Sequence, residues 1–252
     1  MDKLNIAVFG DSFADRDMNP KYMYPDREDE SWMKVLEDAG HRVTTFGRGG
    51  TSTWFSYENF MDHHKFYDAV IFCYSHHERI HILPQGLQSY SSVCSMKSCE
   101  DLKDMDRVKM LPEEKQEELY DVVKGMQLTK NFLFNIFVLS KIFEDINFIC
   151  QRNNIKLVNL LPFENKKTTN RFNFKASHGD VLYNLLPVVL EELNPGYIED
   201  SRFCHLSLEN NQVLGNIILD SLNDRPIKFI DLASESNFIY SPAITEKYKK
   251  LL

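Results

Sequence analysis

What the chain lacks narrows its chemistry before any motif is read. Its five cysteines (Cys73, Cys94, Cys99, Cys150 and Cys204) are odd in number and scattered, with no Cys-x-x-Cys pair. That argues against a disulfide framework or a cysteine zinc site, and makes reduced thiols in a cytosolic compartment the expectation. No His-Glu-x-x-His motif occurs among the eight histidines. His77 and His81 would share a helical face, but no acidic or cysteine partner stands at ligand spacing, so no metal is expected. Residues 47–52, Gly-Arg-Gly-Gly-Thr-Ser, lack the last glycine of the dinucleotide fingerprint, and no Walker lysine follows any glycine loop. No cofactor is therefore expected. The densest apolar segment, residues 132–143, is interrupted by Asn135, Ser140 and Lys141, which excludes a spanning helix there. Positive charge is in deficit, with a formal net charge of −8, which argues against a nucleic-acid partner. No charged-then-apolar leader opens the sequence, so a cytoplasmic location is expected.

What is present suits one sizeable α/β domain. The 252 residues are 43% hydrophobic and 26% charged, ordinary for a globular chain able to bury a core. Residues 6–9, Ile-Ala-Val-Phe, form a short apolar run that ends in Gly10-Asp11-Ser12. Residues 32–39 place Trp32, Val35, Leu36 and Ala39 on one helical face, with Ser31 as the expected cap and Gly40 as the stop. Residues 42–46 alternate as a strand and lead into the glycine-rich turn at 47–52, after which 53–66 read as helix. Residues 68–74 are almost wholly apolar, the mark of a parallel strand covered on both faces, and discharge into Ser75-His76-His77-Glu78. Three strand-loop-helix units in succession predict a doubly wound parallel sheet in a three-layer α/β/α sandwich. An insertion at about 84–127 follows, helical over 112–124. A long helix over about 129–151, a strand at 155–161, an apolar helix at 181–193 and a last helix at 209–222 are predicted in turn. Residues 224–252 read as a tail that wraps the domain or serves an assembly contact.

The loops at the strand ends carry the candidate chemistry. Ser12 lies where open α/β sheets bind ligands, and there it serves either as a nucleophile or as the N-cap of a following helix. Serine acyl transfer needs a base within hydrogen-bond reach and donors aimed at the developing oxyanion. His205, ahead of the last helix, is the candidate base. Ser12 N–H and Gly50 N–H are candidate donors, and His76 or His77 could add a side-chain donor. Each has a plainer counterpart: a tight turn at Gly49-Gly50, surface histidines at 76 and 77, a structural histidine at 205.

Together these blocks resemble the SGNH (GDSL-type) hydrolases. Gly10-Asp11-Ser12 matches that family's first block and Gly47-Arg48-Gly49-Gly50 its glycine block. Ser75-His76-His77-Glu78 stands where the family carries Gly-x-Asn-Asp. His205-Leu206-Ser207, ahead of Asn210-Asn211, matches the last block. The likeness covers roughly residues 4–80 and 155–223. It implies an SGNH-hydrolase or flavodoxin-like fold, with a hydrolase domain over 1–223 and the tail beyond it. It also implies metal-free hydrolysis of ester-linked acyl groups, carbohydrate O-acetyl groups among them, through a serine acyl-enzyme. In that scheme Ser12 is the nucleophile, His205 the base, and Ser12, Gly50 and His77 form the oxyanion hole. The substrate would be a small-molecule or carbohydrate ester, with the insertion as the place for a specificity lid.

Two positions depart from the family. His77 replaces the oxyanion asparagine, and Arg202 stands three residues before His205, where an orienting aspartate is usual. An arginine cannot accept the imidazole N–H. The nearest upstream acid, Asp200, is five residues from His205, roughly 17 Å if extended, so it meets the ring only where the loop curls back. Asp200 is the expected third member, with Glu199 or a backbone carbonyl as substitutes. The rival expectation is a non-catalytic SGNH-like binding or assembly protein.

Overall fold

The computed structural model describes residues 3–16, 31–49, 51–75, 109, 112–128, 132–162, 176–183, 185, 206, 208–223, 228–235 and 237–238. In chain order the elements are β1 (Asn5–Phe9), α1 (Trp32–Asp38), β2 (Arg42–Thr45), α2 (Thr53–His63) with a 3-10 turn at His64–Phe66, and β3 (Ala69–Cys73). They continue as α3 (Glu113–Leu128), α4 (Phe132–Arg152), β4 (Lys156–Leu161), β5 (Asp180–Tyr183), α5 (Leu208–Ser221) and β6 (Phe229–Asp231).

The strands form one sheet in the order β2-β1-β3-β4-β5-β6, and every neighbouring pair is parallel. β2 lies on one side of β1 and β3 on the other, so the strand order reverses at β1. That reversal is the topological switch point, where the loops after β1 and β3 diverge and leave a crevice. Side chains alternate across the strands, and both faces are covered. Ile6, Val8, Ile71, Val158 and Leu182 pack beneath α1 and α5 with Trp32, Leu36, Leu214 and Ile218. Ala7, Phe9, Val70, Phe72 and Val181 pack beneath α2 and α4 with Phe60, Leu139, Phe143 and Ile146. The expected three-layer sandwich is what forms.

Three expectations need correction. Residues 181–183 are not the start of a helix: they belong to β5, with Val181 opposite Asn159 and Leu182 opposite Leu160 on β4. A short apolar run has no period to separate a buried helix from a buried strand, and the open edge of β4 decides. Ser31 occupies the N-cap position of α1 but makes no side-chain cap. The carboxamide of Asn211 on α5 instead accepts the Trp32 N–H at 3.3 Å. Finally, the stretch expected as a tail contributes to the sheet. Phe229–Asp231 pairs with β5, and Leu232 and Phe238 are buried in the core.

Candidate active site

β1 delivers Gly10, Asp11 and Ser12 to the switch point. Gly10 is required by space: a Cβ there would lie 2.6 Å from Cys73 Cβ and 2.8 Å from Ala14 Cβ. Asp11 is fully buried and folds the loop on itself. Its Oδ1 accepts the Phe13 N–H at 3.1 Å, and its carbonyl accepts the Ala14 N–H at 2.9 Å. Ser12 therefore sits half-buried at the tip of a tight turn over 11–14. Residues 13–16 form no helix, so Ser12 is not the cap of one, and that reading of the serine falls.

The glycine-rich loop after β2 is laced to this turn. A Cβ on Gly47 would lie 2.1 Å from the Ala14 carbonyl oxygen, so the two backbones meet where no side chain fits. Thr45 Oγ1 donates to that same carbonyl and accepts the Gly47 N–H at 3.0 Å. Arg48 N–H donates to the Gly10 carbonyl at 3.1 Å, and Gly49 N–H donates to Asp15 Oδ2 at 2.5 Å. Buried Thr51 closes the loop through its N–H and Oγ1, both donating to the Arg48 carbonyl, at 3.2 and 2.7 Å. Ser52 then caps α2, its hydroxyl accepting the Phe55 N–H.

The loop after β3 joins the same frame. Ser75 N–H donates to Thr53 Oγ1 at 3.0 Å, and Ser75 Oγ donates to the Thr51 carbonyl at 2.9 Å. One residue earlier, the Tyr74 hydroxyl donates to Asn159 Oδ1 at 3.1 Å inside the core. Burial holds that phenol well above its ordinary range, so it stays a donor.

Of the residues expected at the site, the structure describes Ser12. Gly50, His77, Asp200 and His205 lie outside the described residues, as do His76, Glu199 and Arg202. Their chain neighbours Gly49, Thr51, Ser75 and Leu206 are described, and the first three bind into the frame around Ser12. Asp15, Thr45, Thr51, Thr53 and Ser75 were not singled out from the sequence. Each is a small polar residue with a backbone partner on another loop, which for Thr51 is the Gly10 carbonyl at 3.4 Å, and such pairings leave no periodic signal. Among the described residues, no group of His, Cys, Asp or Glu could hold a metal ion, and no helix is long and apolar enough to cross a membrane.

The arrangement is a doubly wound α/β sandwich with a serine-bearing turn at its switch point. No protein-family model and no curated protein matches the chain. Solved structures do. A protein of the G-D-S-L lipolytic family from Desulfitobacterium hafniense is 15% identical, with 86% of this chain and 98% of that one covered at a TM-score of 0.42. An acetyl xylan esterase, AlAXEase, is 13% identical over 87% of this chain and 100% of its own, with a TM-score of 0.42. A GDSL-like lipase from Bacteroides thetaiotaomicron is 11% identical over 86% and 87%, also with a TM-score of 0.42.

Proposed function

We propose that this protein is a serine esterase or acyl hydrolase of the SGNH type. The observation that carries the reading is the placement of Ser12, at the tip of the 11–14 turn beyond β1 and bonded through its loop to the glycine loop after β2. In the proposed reaction Ser12 Oγ attacks the ester carbonyl carbon while His205 takes the hydroxyl proton. The carbonyl π electrons move onto oxygen, and the N–H groups of Ser12 and Gly50, with the His77 ring, hold the resulting oxyanion. His205 then gives its proton to the departing alkoxide, leaving an acyl-enzyme, which water hydrolyses by the same steps in reverse order. Asp200 orients His205, in place of the acid that Arg202 displaces. Carbohydrate O-acetyl groups are the proposed substrate class.

The test is hydrolysis of p-nitrophenyl acetate by the parent protein and by Ser12→Ala, with the mass of the parent measured after a reactive alkyl phosphonate. The reading expects turnover well above the variant and one phosphonyl adduct on Ser12. Equal, negligible rates and no adduct would favour the binding or assembly protein that Arg202 and His77, standing where the family has an acid and an asparagine, would also suit.

A further inference from the structure

Two polar side chains join the segment after Ser12 to the segment after His205, although they come from distant parts of the chain. Trp32 is buried at the start of α1, and its indole Nε1–H donates to the Phe13 carbonyl at 2.9 Å. Its backbone N–H donates to Asn211 Oδ1 at 3.3 Å, and Asn211 Nδ2 donates to the Leu206 carbonyl at 3.3 Å. The result is a continuous path from the carbonyl of the residue that follows Ser12, through Trp32 and Asn211, to the carbonyl of the residue that follows His205.

The path is held rigid at both ends and in the middle. Phe13 and Leu206 are buried in the same cluster as Trp32. Between them α5 runs against α1 so closely that a Cβ on Gly215 would lie 2.7 Å from Val35 Cβ and 2.8 Å from the Trp32 carbonyl oxygen. A buried indole N–H needs an acceptor wherever it sits; here the acceptor is on the residue after Ser12, and the carboxamide that accepts from the Trp32 backbone also donates to the residue after His205. Bonding through both ends of the Asn211 carboxamide, and through both the indole and the backbone N–H of Trp32, is what a spacer requires.

We propose that Trp32 and Asn211 are positioning residues that set the separation between the turn carrying Ser12 and the segment carrying His205. This rests on the hydrolase reading. In that reading each acts through the backbone of a residue next in sequence to a reacting one, Trp32 on Phe13 and Asn211 on Leu206. Misplacing a catalytic pair by about an ångström slows turnover by about 100-fold without weakening substrate binding.

The experiment compares the parent, Trp32→Phe, Asn211→Leu, the double variant and Leu36→Val, a core change on α1 that leaves the path intact. Ester kcat and KM, the rate of Ser12 phosphonylation and Tm are measured for each. Each single path variant is expected to lose about 10–100-fold in kcat and in phosphonylation rate, with KM within about two-fold. The double variant is expected to be no slower than the worse single, because both cut one path. Leu36→Val is expected to lower Tm at parental kcat. Asn211 is only half-buried, so its variant reports even where Trp32→Phe folds poorly. Parental kcat in Asn211→Leu, losses that multiply in the double variant, or an equal kcat loss in Leu36→Val would overturn the proposal. A parent no faster than Ser12→Ala, with no adduct on Ser12, defeats the hydrolase reading instead.

Discussion

Replacing Gly47 by alanine tests the contact on which the Ser12 turn leans. The added Cβ would stand 2.1 Å from the Ala14 carbonyl oxygen, whereas such contacts essentially never fall below 3.0 Å, so one loop must retreat by at least about 0.9 Å. That carbonyl is backbone, and Thr45 Oγ1 is bonded to it, so no flexible side-chain end can give way. Overpacking of this kind costs about 1–3 kcal/mol, and loosening the threonine bond adds about 1 kcal/mol. For a chain of this size about 2–4 °C of Tm is lost per kcal/mol, so Gly47→Ala should melt roughly 4–16 °C below the parent. Ala14 is two residues from Ser12, and a shift near 1 Å there should slow phosphonylation of Ser12 by up to about 100-fold. Gly40→Ala is the matched control. Gly40 has a φ of 94° but nothing within 4 Å of its would-be Cβ, so alanine there should cost about 1 kcal/mol through backbone strain alone and leave the Ser12 rate intact. Thermal unfolding followed by circular dichroism, beside the phosphonylation rate, reads both effects. A Gly47→Ala protein with parental Tm would refute the claim that the two loops are locked, whatever the chemistry of Ser12.

Two other predictions concern titrating groups away from the site. His41 Nδ1 accepts the Leu4 N–H at 3.2 Å, and burial lowers the imidazole pKa from its ordinary 6.5. The unfolded chain therefore binds the extra proton more readily than the folded one. Its contribution to stability is complete above pH 6.5 and is lost as pH falls through the lower folded value. His41→Asn, whose carbonyl can replace the Nδ1 acceptor, should lose less Tm than the parent between about pH 7.5 and about pH 5; an equal loss would count against this account. Burial pushes the Cys150 thiol up to about 12. Cys73 is buried as well. Native protein treated with iodoacetamide near neutral pH should thus carry label on neither until denaturant is added, and peptide mapping of alkylated sites shows whether it does.

How much of this was legible in the chain depended on whether the signal was local. β1, β3 and β4 were readable because a strand covered on both faces is apolar at nearly every position, as Ile6, Ala7, Val8 and Phe9 are. Helix α4 was readable because Ile136, Leu139, Phe143 and Ile146 recur at helical spacing and do enter the core. Residues 181–183 were not, since four residues of strand carry no period and only the neighbouring edge of β4 distinguishes strand from helix. Ser31 shows the same limit, because a cap signature states what a helix end can accept and not which group reaches it first. Asn211, 179 residues further on, reaches Trp32.

The sequence by itself determined the layered architecture and the serine-bearing turn, because both follow from apolar patterning and from Gly-Asp-Ser read over a few residues. Only the tertiary structure decided what surrounds that turn. The close approach of Gly47 to Ala14, the clasp of Gly49 on Asp15 and the path from Phe13 through Trp32 and Asn211 to Leu206 all join residues far apart in the chain. Backbone carbonyls and N–H groups are the partners in each case. Every residue carries such groups, so which of them meet is decided by how the elements pack.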